Sequence, residues 1–123
     1  MLDHAAIKTT PELFRETVEF YEKALEPLGY KKMREIPDKA AGFGEQTPDF
    51  WIFVTGDQVQ SAHVALRAKD RATVRTFYEA AITAGGKDNG EPGLRTQIHE
   101  NFYASFVHDP AGNNIEAVCH SAE

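Results

Sequence analysis

The sequence predicts an α+β fold made of two βαβββ modules. Three observations carry that prediction: an internal repeat, an amphipathic helix at the same place in each copy, and short apolar strands between turn signals. His4-Ala5-Ala6-Ile7 opens the first copy and His63-Val64-Ala65-Leu66 the second, each a short apolar strand with histidine near its start. A near-identical helical patch follows in both. It reads Thr17-Val18-Glu19-Phe20-Tyr21-Glu22 in the first copy and Thr73-Val74-Arg75-Thr76-Phe77-Tyr78-Glu79 in the second. Histidine and tyrosine are 17 residues apart in one copy and 15 in the other, a difference that a short loop indel explains. The period of roughly 59 residues is too long for a solenoid repeat and suits a duplicated half-domain. One domain, 1–123, is therefore expected, with module one at about 1–57 and module two at about 60–123.

The elements follow in order. Pro11 suits the first turn of a helix, with Thr10 as its N-cap and Glu12 beside it. Phe14, Val18, Tyr21, Leu25 and Leu28 recur at helical spacing, and Gly29 ends the stretch. Three strands complete the module: Tyr30 to Ile36, Ala40 to Gly44, and the apolar run Phe50 to Val54. The second helix starts near Asp70, buries Val74, Phe77, Tyr78, Ala81 and Ile82, and stops at Gly85-Gly86. Lys87 to Gly93, rich in Gly, Asn and Asp, reads as an irregular mobile loop, and Leu94 to Ile98 as a weak strand. Phe102 to His108 and Asn114 to His120 are stronger strands. Turns fall at Pro37-Asp38, Thr47-Pro48-Asp49, Thr55-Gly56-Asp57 and Asp109 to Asn113.

Composition bounds the function. With 41% hydrophobic and 26% charged residues, the 123-residue chain is an ordinary globular protein. A net charge of −6 argues against nucleic acid or an anionic membrane as partner. No apolar run approaches the roughly 20 residues of a membrane span, and Met-Leu-Asp-His lacks the marks of a signal peptide. The lone Cys119 cannot form an internal disulfide, which fits a reducing compartment. A cytoplasmic protein with a small-molecule partner is the expectation.

Two βαβββ modules, a histidine on the first strand of each, Phe-Tyr in each helix, and the closing run Asp109-Pro110-Ala111-Gly112-Asn113-Asn114-Ile115-Glu116-Ala117-Val118 resemble the vicinal oxygen chelate superfamily. That superfamily includes glyoxalase I, fosfomycin-resistance thiol transferases, extradiol dioxygenases and bleomycin-binding proteins. The resemblance spans essentially the whole chain, and the Asp-Pro-x-Gly-Asn-x-x-Glu ending is its most specific piece. It implies a curved mixed sheet around a central cleft that holds one divalent metal. The ligand positions carried over are His4, His63 and Glu116. The fourth position, on the last strand of module one, falls near Trp51 or Phe53, neither of which binds a metal. Zinc, nickel, cobalt, manganese and iron all suit such a set. Modules in this superfamily also pair or swap between chains, so a homodimer could draw His4 and Glu116 from different subunits.

The residue chemistry is consistent with that implication. Two imidazoles and one carboxylate leave open positions on a divalent ion, which then acts as a Lewis acid. The plainer alternatives are a satisfied core histidine for His4 and an exposed or arginine-paired carboxylate for Glu116. An unpaired carboxylate between Ile115 and Ala117-Val118 would be costly. Strand alternation puts Asn101, Tyr103, Ser105 and Val107 on one face, and Phe102, Ala104, Phe106 and His108 on the other.

Tyr103 could serve as an acid or bind substrate, and His99 could be a base, although an exposed loop histidine is its plainer reading. Trp51, Phe53, Phe102 and Arg95 are candidate substrate contacts. His108 and His120 read as surface residues, and Cys119 as packing.

The resemblance implies a glyoxalase-like metal-dependent enzyme: a lyase or isomerase, thiol transferase or dioxygenase. It would stabilise an oxyanion or enediolate on a small oxygen-bearing substrate. The aromatic residue at the fourth ligand position disfavours glyoxalase I itself. The alternative is a non-catalytic protein that sequesters a small molecule, as bleomycin-binding relatives do.

Overall fold

The computed structural model describes residues 2–56 and 61–123. In chain order the elements are β1 (Ala5–Thr9), α1 (Phe14–Ala24), a 3-10 turn (Glu26–Leu28), β2 (Lys31–Ile36), β3 (Ala40–Gly44) and β4 (Pro48–Val54). They are followed by β5 (His63–Arg67), α2 (Arg71–Thr83), β6 (Lys87–Leu94), β7 (Tyr103–His108) and β8 (Asn114–Cys119). Two four-stranded sheets result, with strand orders β1-β4-β3-β2 and β5-β8-β7-β6. Within each sheet the first strand runs parallel to the last, and the remaining pairings are antiparallel. The repeat in sequence is thus a repeat in topology. The expected module boundary and the end of the Thr55-Gly56-Asp57 turn fall at residues 57–60, outside the described residues.

Period-two alternation decides which face of each sheet the helices cover. In the first sheet Ile7, Thr9, Phe43, Phe50 and Ile52 are buried toward α1, which supplies Phe14, Val18 and Tyr21. The Tyr21 ring packs at 5.1 Å from Phe50 and 6.3 Å from Phe43. In the second sheet Ser105, Val107, Ile115, Ala117 and Cys119 pack beneath Val74, Phe77 and Ala81 of α2. The other face of each sheet is left without a helix, and the candidate site lies there.

Local chemistry sets the helix ends. Asp70 is the N-cap of α2, its carboxylate accepting the Thr73 backbone N–H and hydroxyl, both at 2.7 Å. Helix α1 starts later than Pro11 because Thr10 to Leu13 form a separate turn, in which Leu13 N–H bonds Thr10 O at 3.2 Å. At the other end, α1 finishes at Ala24, and Gly29 at φ +85° ends the following 3-10 turn instead.

The modules dock through a polar clasp. Tyr21 Oη donates to Asp109 Oδ2 at 2.6 Å, and Asn113 Nδ2 donates to the same oxygen at 2.9 Å and to Lys8 O at 3.3 Å. Asp109 Oδ1 accepts from the backbone of Ala111 and Asn113, while Asn113 Oδ1 accepts from Ala62 N–H. Asp109 and Asn113 are both buried, so these bonds satisfy groups that would otherwise be expensive to enclose.

Several expectations require correction. Lys87–Leu94 is strand β6 rather than a mobile loop, and the segment after it, expected as a weak strand, is turn. The glycines that imitate a loop are where β6 shifts register against β7, between Asp88 and Gly90 and between Gly90 and Gly93. Ile82 is exposed rather than core, and His108 is half-buried, with its Nδ1 lacking a partner among the described residues.

Candidate functional site

Glu116 lies in the middle of β8, the strand between β5 and β7, with Ala65 opposite it on one side and Phe106 on the other. Its neighbours Ile115 and Ala117 point into the core, which turns Glu116 onto the helix-free face. The residue is nonetheless only 5% exposed, and Oε1 is buried with no hydrogen-bond partner among the described residues. Burial pushes the Glu116 carboxyl above its ordinary range, and the nearby His63, His120 and Arg95 only partly offset this.

His63 opens β5 and reaches Glu116 from the adjacent parallel strand. Its Nε2 lies 3.1 Å from Glu116 Oε2, and its Nδ1 lies 3.0 Å from the Asn114 carbonyl. A carbonyl only accepts, so Nδ1 carries the hydrogen. In the neutral ring Nε2 then presents a lone pair to the carboxylate. Two lone pairs at that distance require a cation between them, either a proton or a metal ion. A histidine oriented by its other N–H on a backbone carbonyl is the usual arrangement of a metal ligand.

Phe106 joins this pair to Arg95. The His63 and Phe106 rings stack at 6.4 Å, and the Arg95 guanidinium lies 5.5 Å from the centroid of the same ring. Phe102 is nearby, edge-on to both His99 and His120. His99 Nδ1 accepts from Asn101 N–H at 3.1 Å, so its Nε2–H donates to His120 Nδ1 at 2.9 Å. Both ring nitrogens of His99 are therefore engaged.

The other candidates are placed apart from this group. His4 precedes β1, is 57% exposed at its side chain, and contacts Asp3 Oδ1 at 2.6 Å. Among the described residues, no three His, Cys, Asp or Glu side chains converge as a metal-holding set. Trp51 and Phe53 stack on each other at 5.8 Å on the first sheet, the indole lying directly over Gly42. Tyr103 faces away from Glu116. It pairs with Cys119 on the helix side, takes a hydrogen bond from Arg75 at 3.2 Å, and has Arg71 and Arg75 over its ring. Tyr103 and Glu116 thus lie on opposite faces of the second sheet.

A groove of about 550 Å3 between α1 and the β2–β3 hairpin, lined by Glu12, Arg15, Glu19, Glu22 and Lys32, holds none of the candidates. Sequence reasoning gave no role to Phe106, His120 or the Asn114 carbonyl. The Asn113-Asn114 run beside Glu116 was the available signal for the last of these.

No protein-family model and no curated protein matches the sequence. Solved structures do match. A glyoxalase/bleomycin resistance protein from Albidiferax ferrireducens T118 superposes with a TM-score of 0.80 at 20% identity, over 97% of this chain and 98% of that one. The chain has the glyoxalase/bleomycin resistance fold. A glyoxalase/bleomycin resistance protein/dioxygenase family enzyme from Burkholderia phytofirmans PsJN shares the fold at TM-score 0.73 and 13% identity, over 98% of both chains. A lactoylglutathione lyase from Agrobacterium tumefaciens does so at 0.71 and 16%, over 97% of this chain and 92% of that one. Within the glyoxalase/bleomycin resistance fold, His63 and Glu116 stand on the first and last strands of the second βαβββ unit.

Proposed function

We propose that this protein is a metal-dependent, glyoxalase-like enzyme acting on a small oxygen-bearing substrate, with His63, Glu116 and His4 as the metal ligands. The observation that carries the proposal is the His63–Glu116 pair, whose Nε2 and Oε2 face each other at 3.1 Å and need a proton or a metal ion between them. The orphaned Glu116 Oε1, without a partner among the described residues, adds a second donor. A divalent ion fits these donors and, when bound, supplies Lewis acidity that stabilises negative charge on substrate oxygens. The chain's own groups orient and enclose: Asn114 O fixes the His63 ring, while Phe106, Phe102 and Arg95 border the open face.

His4 stands apart from the pair within one chain, which favours a homodimer in which module one of each chain faces module two of the other. The exposed edges of the Trp51–Phe53 stack would then border the partner's Glu116. A cytoplasmic location belongs to the same proposal.

Metal analysis after reconstitution with zinc, nickel, cobalt, manganese or ferrous iron tests it. One ion per site is expected, lost in His63→Ala and Glu116→Ala; substoichiometric metal in the wild type would sink it. The second reading, sequestration without catalysis, is favoured by the stacked Trp51–Phe53 pair with Phe53 40% exposed. That reading predicts tight binding of aromatic compounds by metal-free protein, undiminished in His63→Ala.

A further inference from the structure

We propose that Arg95 is an anion-recognition residue and that the substrate of this site is a small 2-hydroxy or 2-oxo carboxylate; the assignment of a substrate rests on the metalloenzyme reading above. Strand β6 is shaped around this one side chain. Gly90 has φ +153°, and a Cβ there would lie 2.8 Å from the Phe106 ring and 3.3 Å from Arg95 Nη2. At Gly93 a Cβ would lie 3.0 Å from Arg95 Nη1. Both glycines flank register shifts of β6 against β7, so the strand bends at these positions and leaves a notch that the guanidinium fills. Glu91 O accepts from Nη2 at 2.7 Å and pins one corner of the fork, while Phe106 supports its flat face.

The guanidinium so held is engaged by no carboxylate within ion-pair distance among the described residues. Among the described residues, Arg95 forms no ion pair, not even with Glu116, which is directly across Phe106 from Gly90. A planar fork with donors free, held a strand away from a cation-demanding His–Glu pair, matches a ligand with two ends. An oxygen at the metal end and a carboxylate at the arginine end, joined by a short carbon link, complete it. The acidic chain carries a net charge of −6, so bulk electrostatics would repel such an anion, and a local arginine is needed to accept it.

The test titrates glycolate, lactate and mandelate, each beside its neutral amide, into the full-length protein, followed by NMR. Metal-free and zinc-reconstituted wild type, Arg95→Lys and Arg95→Met are compared. The wild type is expected to prefer at least one acid over its amide by about tenfold, the weight of one charge-assisted hydrogen bond. That preference should fall to about one in Arg95→Met and be partly kept in Arg95→Lys, which retains the charge without the fork. Equal binding of every acid and amide by wild type, or an acid preference that survives in Arg95→Met, overturns the proposal. The wild-type comparison decides even if a variant fails to fold. Zinc content measured on the same samples separates the two readings: absent zinc with an intact acid preference rejects the metal site alone, and bound zinc without acid preference rejects Arg95 alone.

Discussion

His63 Nε2 faces Glu116 Oε2 across 3.1 Å while the Glu116 side chain is enclosed by its strand neighbours, so this one pair concentrates both the demand for a cation and its electrostatic cost. The cost has a pH signature. Burial raises the folded-state pKa of Glu116 above its ordinary value of 4.5, so the unfolded chain ionises first as pH rises. The stability tied to protonated Glu116 is complete below that value and is lost as pH climbs through the raised pKa. Glu116→Gln removes the titrating group. In metal-free protein, its melting temperature relative to wild type should therefore increase from pH 4 to pH 7. A flat or declining difference in thermal melts would contradict the buried, unfavourable carboxylate.

Tyr21 and Asp109 give a second test, of the joint between modules. Tyr21→Phe removes one donor from a buried carboxylate and is expected to destabilise the fold by about 2 kcal/mol in urea unfolding. The phenol pKa is raised by burial and by the Asp109 charge. Its contribution to stability is therefore intact at neutral pH and declines only above the ordinary value of 10, where the unfolded chain ionises first. Tyr21→Phe should lack that alkaline decline.

Gly42 offers a spectroscopic prediction. A Cβ at Gly42 would lie 2.8 Å from Trp51 ring atoms, so Gly42→Ala must lift the indole from the sheet. Trp51 is the single tryptophan, and its emission should shift in the variant, with a stability loss of about 1–3 kcal/mol from overpacking. Unchanged fluorescence would mean that the indole does not rest on Gly42.

A shared site is tested by mixing chains. His4→Ala and His63→Ala proteins should each fail to hold stoichiometric metal. Their hybrid dimer should regain about one ion, because one site would then combine the intact halves of two chains. A site formed within one chain gives no such recovery.

Much of this architecture was legible in the residues. The apolar runs of β3 and β4, the Asp70 cap and the duplicated helical patch all act locally, and the structure has these elements where sequence put them. Strand β6 was not legible, because Gly90 and Gly93 mark bulges whose reason, the Phe106 ring and Arg95, lies elsewhere in the chain. Tyr103 shows a different limit. Alternation separated its face from that of Phe106, but only the pairing of Phe106 with Glu116 says which face meets the carboxylate. Pairing register is non-local. His4 shows the same limit, since its distance from the pair is a matter of how modules pack, which no local pattern encodes.

Asp109 and Asn113 each make one hydrogen bond to the first half of the molecule, at Tyr21 and Lys8, and brace one another and the second half with the rest. The Asp109–Asn113 turn is therefore a joint, not a workplace. A change at Glu116 would leave that turn untouched, whereas losing the turn would loosen the halves. The turn serves the shape of the molecule, whose occupation must be read from the strand that follows.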